Sequence, residues 1–223
     1  MKYFLLLIAV VLQSVSFAQD ASTVTIRTFC FQRDSSGVDR LAVKSPDQAV
    51  VEMKFPESFF SPKTKVPLFD GKVVFYNAAD LAGAPVSVAK IPAGMKSVFV
   101  LFFPVQGDKD KMLYRTSVID ASLQGIPKDG AMVMNLYPKE VRAVIGEHRV
   151  ILKPGKTAGV ARPKERNDYN MSPVVFLAEA GGEWKVMSET LVRFPEENQQ
   201  FFISYQDGKN GRLSFRALQV GDF

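Results

Sequence analysis

One cysteine, one histidine and one tryptophan occur in 223 residues, and each scarcity closes off a chemistry. The lone Cys30 cannot form an internal disulfide, so a domain of this size must be held by packing alone. The lone His148 leaves a Ser-His-Asp or Cys-His nucleophile a single imidazole to draw on. One Cys and one His also fall short of the converging ligand set that zinc needs. Gly-rich phosphate loops are missing too. "LKPGKTAG" (152–159) has neither the Walker spacing nor a helix after it, and its Pro154-Gly155 suits a type II turn. No cofactor motif and no metal motif is left.

Charge of either sign is not concentrated. The net charge is +5, and loss of Lys2 with a leader would bring the mature chain near +4. That excess tolerates an acidic partner but lacks the dense basic footprint of a nucleic-acid binder.

Long apolar runs are confined to the amino terminus. Lys2, the run Phe4 to Leu12 and the small-residue pattern Ser16-Phe17-Ala18 predict a secretory signal peptide over residues 1–18, with 205 residues remaining after cleavage. The run is short of the roughly 20 residues a membrane-spanning helix needs, and Gln19 rather than Cys opens the mature chain. A secreted or periplasmic protein without membrane insertion is expected.

What the sequence does contain is short strands. "TVTIRTFCF" (23–31), "VVEMKF" (50–55), "SVFVLFF" (97–103), "KMLYRTSVI" (111–119), "EVRAVI" (140–145), "HRVILK" (148–153) and "RLSFRALQV" (212–220) alternate at least in part and are bounded by Gly, Pro, Asp or Asn. Helical spacing is not sustained anywhere after the leader, and only short helical turns near Glu57 to Phe60 and Asn77 to Leu81 are expected.

A repeat organises the strands. "VVF" at 73–75 recurs at 174–176. Lys90-Ile91-Pro92, Phe99-Val100 and Tyr114-Arg115 then find counterparts in Arg193-Phe194-Pro195, Phe202-Ile203 and Phe215-Arg216. The polar turns "GDKDK" (107–111) and "DGKNG" (207–211) fall at matching places. The fold class expected is all-β, an antiparallel β-sandwich made of two immunoglobulin-like units of some seven strands each, related by internal duplication. The boundaries are a first unit over 19–120, a joint over 121–130 containing "GIPKDG", and a second unit over 131–223.

The surroundings of His148 follow from turn chemistry. A two-residue turn at Gly146-Glu147, with Gly first as type II′ prefers, sets Ile145 opposite His148, Ala143 opposite Val150 and Val141 opposite Leu152. His148 then lies at the rim of an apolar face, a structural more than a catalytic position. The series "NLYPKEVRAVIGEHRVILKPGK", "VVFLAEAGGEWKVMSETLVRF" and "FFISYQDGKNGRLSFRAL" resembles a family of small exported bacterial β-proteins with an N-L-x-P-x-x-V-R…L-K-P-G core. The resemblance covers the last hundred residues, implies a hairpin at this place, and brings no catalytic residue with it.

Other candidate chemistry reduces to structure. Cys30 shares a strand face with Val24, Ile26 and Thr28, whereas a reactive thiol wants an electropositive, accessible setting. "DSSGVD" (34–39) offers Asp34, Ser36 and Asp39 around Gly37 but is too short for a calcium loop and reads as a hairpin turn. A glycoside-hydrolase pair drawn from Asp108, Asp110, Asp120, Glu140, Glu183 or Glu189 would need two carboxyls about 5 to 10 Å apart in a cleft, which sequence does not show.

Two loops combine aromatic and basic residues. "KFPESFFSPKTK" (54–65) carries Phe59, Phe60, Lys63 and Lys65, and "VARPKERNDYN" (160–170) carries Arg162, Lys164, Arg166 and Tyr169. Stacking and charge at these residues suit an envelope protein, a peptide or an acidic polymer or glycan. The plainer alternative is that the phenylalanines plug a sandwich end and the basic loop is solvated. The function expected is a non-enzymatic binding or structural module. A carboxylate-dependent hydrolase of an extracellular polymer and a chaperone-like sandwich assembling through a strand edge are the alternatives.

Overall fold

The computed structural model describes residues 22–33, 36–45, 47, 49–105, 112–122, 127, 129–196, 198–207 and 211–220. The expected leader, the "GDKDK" turn and parts of "DSSGVD", "GIPKDG" and "DGKNG" lie outside these residues. Every regular element described is a strand, and the two segments expected to form helical turns are bends and a tight turn.

Eight strands fall within 22–120: β1 (Ser22–Cys30), β2 (Arg40–Lys44), β3 (Val50–Lys54), β4 (Thr64–Leu68), β5 (Lys72–Asn77), β6 (Ser87–Lys90), β7 (Ser97–Pro104) and β8 (Tyr114–Asp120). Eight more fall within 131–220: β9 (Ala131–Asn135), β10 (Val141–Ile145), β11 (His148–Leu152), β12 (Thr157–Val160), β13 (Met171–Ala180), β14 (Glu183–Arg193), β15 (Gln199–Gln206) and β16 (Leu213–Val220). They make four sheets of four strands, ordered β4-β1-β7-β8, β3-β2-β5-β6, β12-β9-β15-β16 and β11-β10-β13-β14. Adding eight to each strand number of the first two sheets reproduces the last two.

The equivalence extends to pairing sense. β1 runs parallel to β7, and β9 runs parallel to β15, while every other strand pair among the described residues is antiparallel. The Ile91 N–H donates to Gly71 O at 2.7 Å and the Phe194 N–H to Asn170 O at 2.8 Å, closing matching corners on residues with positive φ (69° and 58°). Each set thus has one strand more than the seven expected, and a parallel pair replaces the purely antiparallel arrangement.

The sheets stack in four layers. Val24, Ile26 and Cys30 of β1 and Val98, Val100 and Phe102 of β7 face a first core against β2, β3 and β5. Phe29, Phe99, Leu101 and Phe103 point the other way, into a third core shared with Met132, Met134, Phe201 and Ile203 of β9 and β15. The second sandwich has its own core around Val141, Val174, Phe176, Phe194 and Phe202. The two central sheets are therefore covered on both faces, which is why "SVFVLFF" is a continuous apolar run and not a half-polar alternation. At the seam the Phe201 ring lies 5.6 Å from Phe60 at 85° and 5.5 Å from Phe99 at 56°. Such aromatic pairs add about 0.5–1.5 kcal/mol each beyond area burial.

These faces correct one detail of the repeat. Phe99 points to the seam and Phe202 to the second sandwich's own core, so they are not counterparts. Because side chains alternate with period two, a one-residue slip inverts the face, and the residue that shares the facing of Phe99 is Phe201.

Candidate functional site at the seam

The seam opens at one end into a cleft of about 330 Å³. Its wall is aromatic. Phe31, just beyond β1, stacks on Phe103 of β7 at 4.3 Å and 16°, and its ring is 4.5 Å from that of Tyr205 on β15. On β8 and β16 the seam-facing positions include Arg115 and Arg216, and both residues line the cleft. Arg115 is directly opposite Phe103 in the β7–β8 ladder, and its Cζ sits 5.3 Å from the centre of that ring. A smaller pocket of about 190 Å³ shares Phe103, Arg115 and Tyr205 and continues along Thr116 and Ser117.

Two carboxylates also border the cleft, Glu57 and Asp207. Glu57 is committed to Arg33: its Oε1 accepts the Arg33 N–H at 2.8 Å, and its Oε2 is 3.6 Å from Arg33 Nε. The main chain of Asp207 closes the β15–β16 connection, donating to Arg212 O at 2.9 Å and accepting from Gly211 N at 2.8 Å. Among the described residues neither Arg115 nor Arg216 forms an ion pair. Two exposed arginines beside an aromatic wall, of which Arg115 lies over the Phe103 ring, can hold a carboxylate or phosphate through charge-assisted, two-pronged hydrogen bonds while the rings take an apolar or planar portion.

The residues singled out from sequence are dispersed. Phe60 is withdrawn into the seam core, 2% exposed and 4.4 Å from Phe99, as the plug reading has it, whereas Phe59 is 49% exposed. Lys63 and Lys65 are exposed, and Lys65 lies on edge strand β4 opposite Thr25. Through Glu57 the 54–65 loop reaches the cleft rim. Arg162 is tied inward: its Nε and Nη2 donate to Phe194 O at 3.1 and 2.8 Å, and its Nη1 is 3.4 Å from Glu196 and 3.9 Å from Asp129. Arg166 turns back onto Pro163 O and its Nε is buried without a partner. Lys164 is exposed, and Tyr169 is 75% exposed. The two loops are not topological counterparts, since 54–65 links β3 to β4 and 160–170 links β12 to β13.

The β10–β11 hairpin has the register derived from the turn, with Ile145 opposite His148 and Val141 opposite Leu152. Gly146 has φ +54° and Glu147 has no positive φ, as type II′ requires. Glu147 then clamps the basic loop, its Oε1 accepting the Lys164 N–H at 2.8 Å and its Oε2 the Glu165 N–H at 3.4 Å. These hydrogen bonds, that from Lys164 foremost, hold the Glu147 carboxyl below its ordinary range, with the neighbouring His148 adding to the effect. His148 Nε2 lies 3.3 Å from Glu147 Oε1 and, among the described residues, makes no other contact suited to proton transfer.

Sequence reasoning missed Arg115, Arg216, Phe103 and Tyr205 as a group. The signal was present, because the repeated Tyr114-Arg115 and Phe215-Arg216 dipeptides each place an arginine on the strand face opposite a core aromatic. Among the described residues no three His, Cys, Asp or Glu side chains come together, and no helix is long and apolar enough to cross a membrane. No protein-family model and no curated protein matches the chain.

Proposed function

We propose that this protein is an exported, non-enzymatic binding module of the periplasm or cell surface that holds a carboxylate-bearing ligand in the seam cleft. The observation that carries the reading is the convergence of Arg115 and Arg216, from corresponding strands of the two halves, on one aromatic-walled cleft, with no carboxylate partner for either among the described residues. Duplication of an ancestral eight-strand, immunoglobulin-like unit explains the convergence: the matching strand orders support it, and two copies packed back to back bring equivalent side chains to a shared mouth. The exposed residues Phe59, Lys63, Lys65, Lys164 and Tyr169 serve as secondary contacts outside the cleft.

The test is calorimetric titration of the mature chain with an acidic peptide rich in Glu and Tyr and, separately, with a uronic-acid oligosaccharide. Arg115→Ala and Arg216→Ala should each weaken binding about tenfold, as loss of a charge-assisted hydrogen bond does, and salt should weaken it further. Binding unchanged in the double variant would remove the cleft from consideration. The two ligands separate a peptide source from a glycan source. Hydrolysis of the oligosaccharide that is lost in Glu57→Gln and Asp207→Asn would favour the enzyme alternative, for which those two cleft carboxylates are the observation. Export is checked by the mass of the envelope-fraction protein, which should begin at Gln19.

A further inference from the structure

We propose that the outer face of the β11-β10-β13-β14 sheet is a homodimer interface, on which a second copy of this chain packs about a twofold axis running along the strands. The inference is independent of the cleft, which lies at the seam on the far side of this sandwich.

The ladders lay the face out in rows. One row crosses the sheet as Ile151, Arg142, Leu177 and Val186, and the next as Arg149, Val144, Val175 and Glu189. Pro173 and Leu191 continue the apolar surface beyond them. Ile151, Val186 and Leu191 are 57%, 56% and 53% exposed, unusual values for large aliphatic side chains that share one sheet face. Arg142 does not break the surface up, because its guanidinium sits over the only tryptophan, with Cζ 3.8 Å from the Trp184 ring centre.

The fold does not impose this. The topologically equivalent face, on β3-β2-β5-β6, has a valine pair, Val74 and Val88, but is ringed by charge: Arg40 pairs with Glu52 at 3.1 Å, Lys44 Nζ sits 4.1 Å from the Tyr76 ring, and Lys72 faces Lys90. Two sheets with the same strand order thus differ in how much charge they show water, and only the second exposes several large aliphatic side chains by more than half.

Charge placement selects the occupant. The second row has a cation on β11 at one end, an anion on β14 at the other, and valines between. A twofold axis along the strands sets β11 over β14 of the other copy, so Arg149 meets Glu189 twice, Ile151 meets Val186 twice and Val144 meets Val175 twice. The surface is self-complementary, as an isologous contact must be. Strand addition at the edge is disfavoured, since β14 carries a bulge opposite Phe176/Leu177 and points Lys185 to the core side, both devices that block edge pairing. From strand spacing and lengths the face covers on the order of 500 Å² per copy, at the lower limit for a specific interface, so a dissociation constant of about 10–100 µM is expected.

Sedimentation equilibrium of the mature chain over about 1–500 µM should show a monomer–dimer equilibrium in that range. Ile151→Lys and Val186→Lys, both at exposed positions, should each weaken it more than tenfold without changing the melting temperature measured at about 1 µM, where the wild type is monomeric. Arg149→Glu alone and Glu189→Arg alone should weaken it about tenfold by setting like charges face to face, and the double exchange should restore it to within about threefold. A monomer at all concentrations, or a dimer indifferent to Ile151→Lys and Val186→Lys, overturns the proposal.

Discussion

Ser204 Oγ donates a hydrogen bond of 3.0 Å to Asn135 Oδ1 in the interior, joining β15 to the end of β9. The same Oδ1 accepts the Tyr137 N–H at 2.9 Å, and Nδ2 donates to Lys139 O and Leu152 O, both at 2.8 Å. One buried side chain thus satisfies the turn after β9, the end of β11 and a hydroxyl on β15. Asn135→Ala leaves several of these groups buried without partners and should cost about 3 kcal/mol in urea unfolding. A loss below about 1 kcal/mol would mean that water replaces the amide.

Gly146 and Gly155 both have positive φ, 54° and 72°, but differ in surroundings. A Cβ on Gly146 would lie 2.7 Å from Ser172 Oγ and 2.8 Å from Pro163 Cβ, whereas one on Gly155 meets nothing within 4 Å. Gly155→Ala should therefore cost only the backbone strain, about 1–2 kcal/mol, and Gly146→Ala appreciably more, because the 160–170 loop must shift. Thermal melts of the two variants side by side give the comparison.

Glu147 makes stability depend on acid. Its folded carboxyl titrates below the usual 4.5, so the stabilisation is fully present above about that pH and is lost as pH falls through the lowered folded value. Glu147→Gln should melt below wild type at neutral pH and converge with it as the pH falls below the usual 4.5 and through the lowered folded value. A gap that stays constant across that window would show that the carboxylate charge is not what holds the loop. His148→Gln, by contrast, should leave ligand binding intact, since the imidazole touches Glu147 and not the cleft.

The shared seam core predicts one unfolding transition. Phe201 is 1% exposed between Phe60 and Phe99, rings of the opposite half, and Phe201→Ala should cost about 3–5 kcal/mol. Calorimetry of the wild type should give a single peak with equal calorimetric and van't Hoff enthalpies. Two resolved peaks would mean that the halves unfold separately.

Local structure was legible because local chemistry decides it. Gly at the first central position of the β10–β11 turn fixes the hairpin register, and with it the facing of His148, residue by residue. The corner residues Ile91-Pro92 and Phe194-Pro195 marked equivalent positions for the same reason. The layering was harder to see. Unbroken apolar runs such as "SVFVLFF" and "AMVM" signal strands covered on both faces, but a run without alternation also hides its facing, hence the slip between Phe99 and Phe202. The parallel β1–β7 and β9–β15 contacts join strands far apart in sequence, for which no turn records the register. The cleft needed both halves placed together, whereas the conspicuous cations Arg162 and Arg166 proved to be held by carbonyl oxygens close at hand.

Central sheets covered on both sides also constrain the order of assembly. When the first eight strands have emerged, Phe29, Phe99, Leu101 and Phe103 have no cover until β9 and β15 arrive. A nascent or truncated half is then a sticky aromatic plate, prone to clump with others of its kind. For a chain delivered from its amino terminus, the second half acts as the built-in shield of the first, and the speed at which it follows sets how long that plate stays bare.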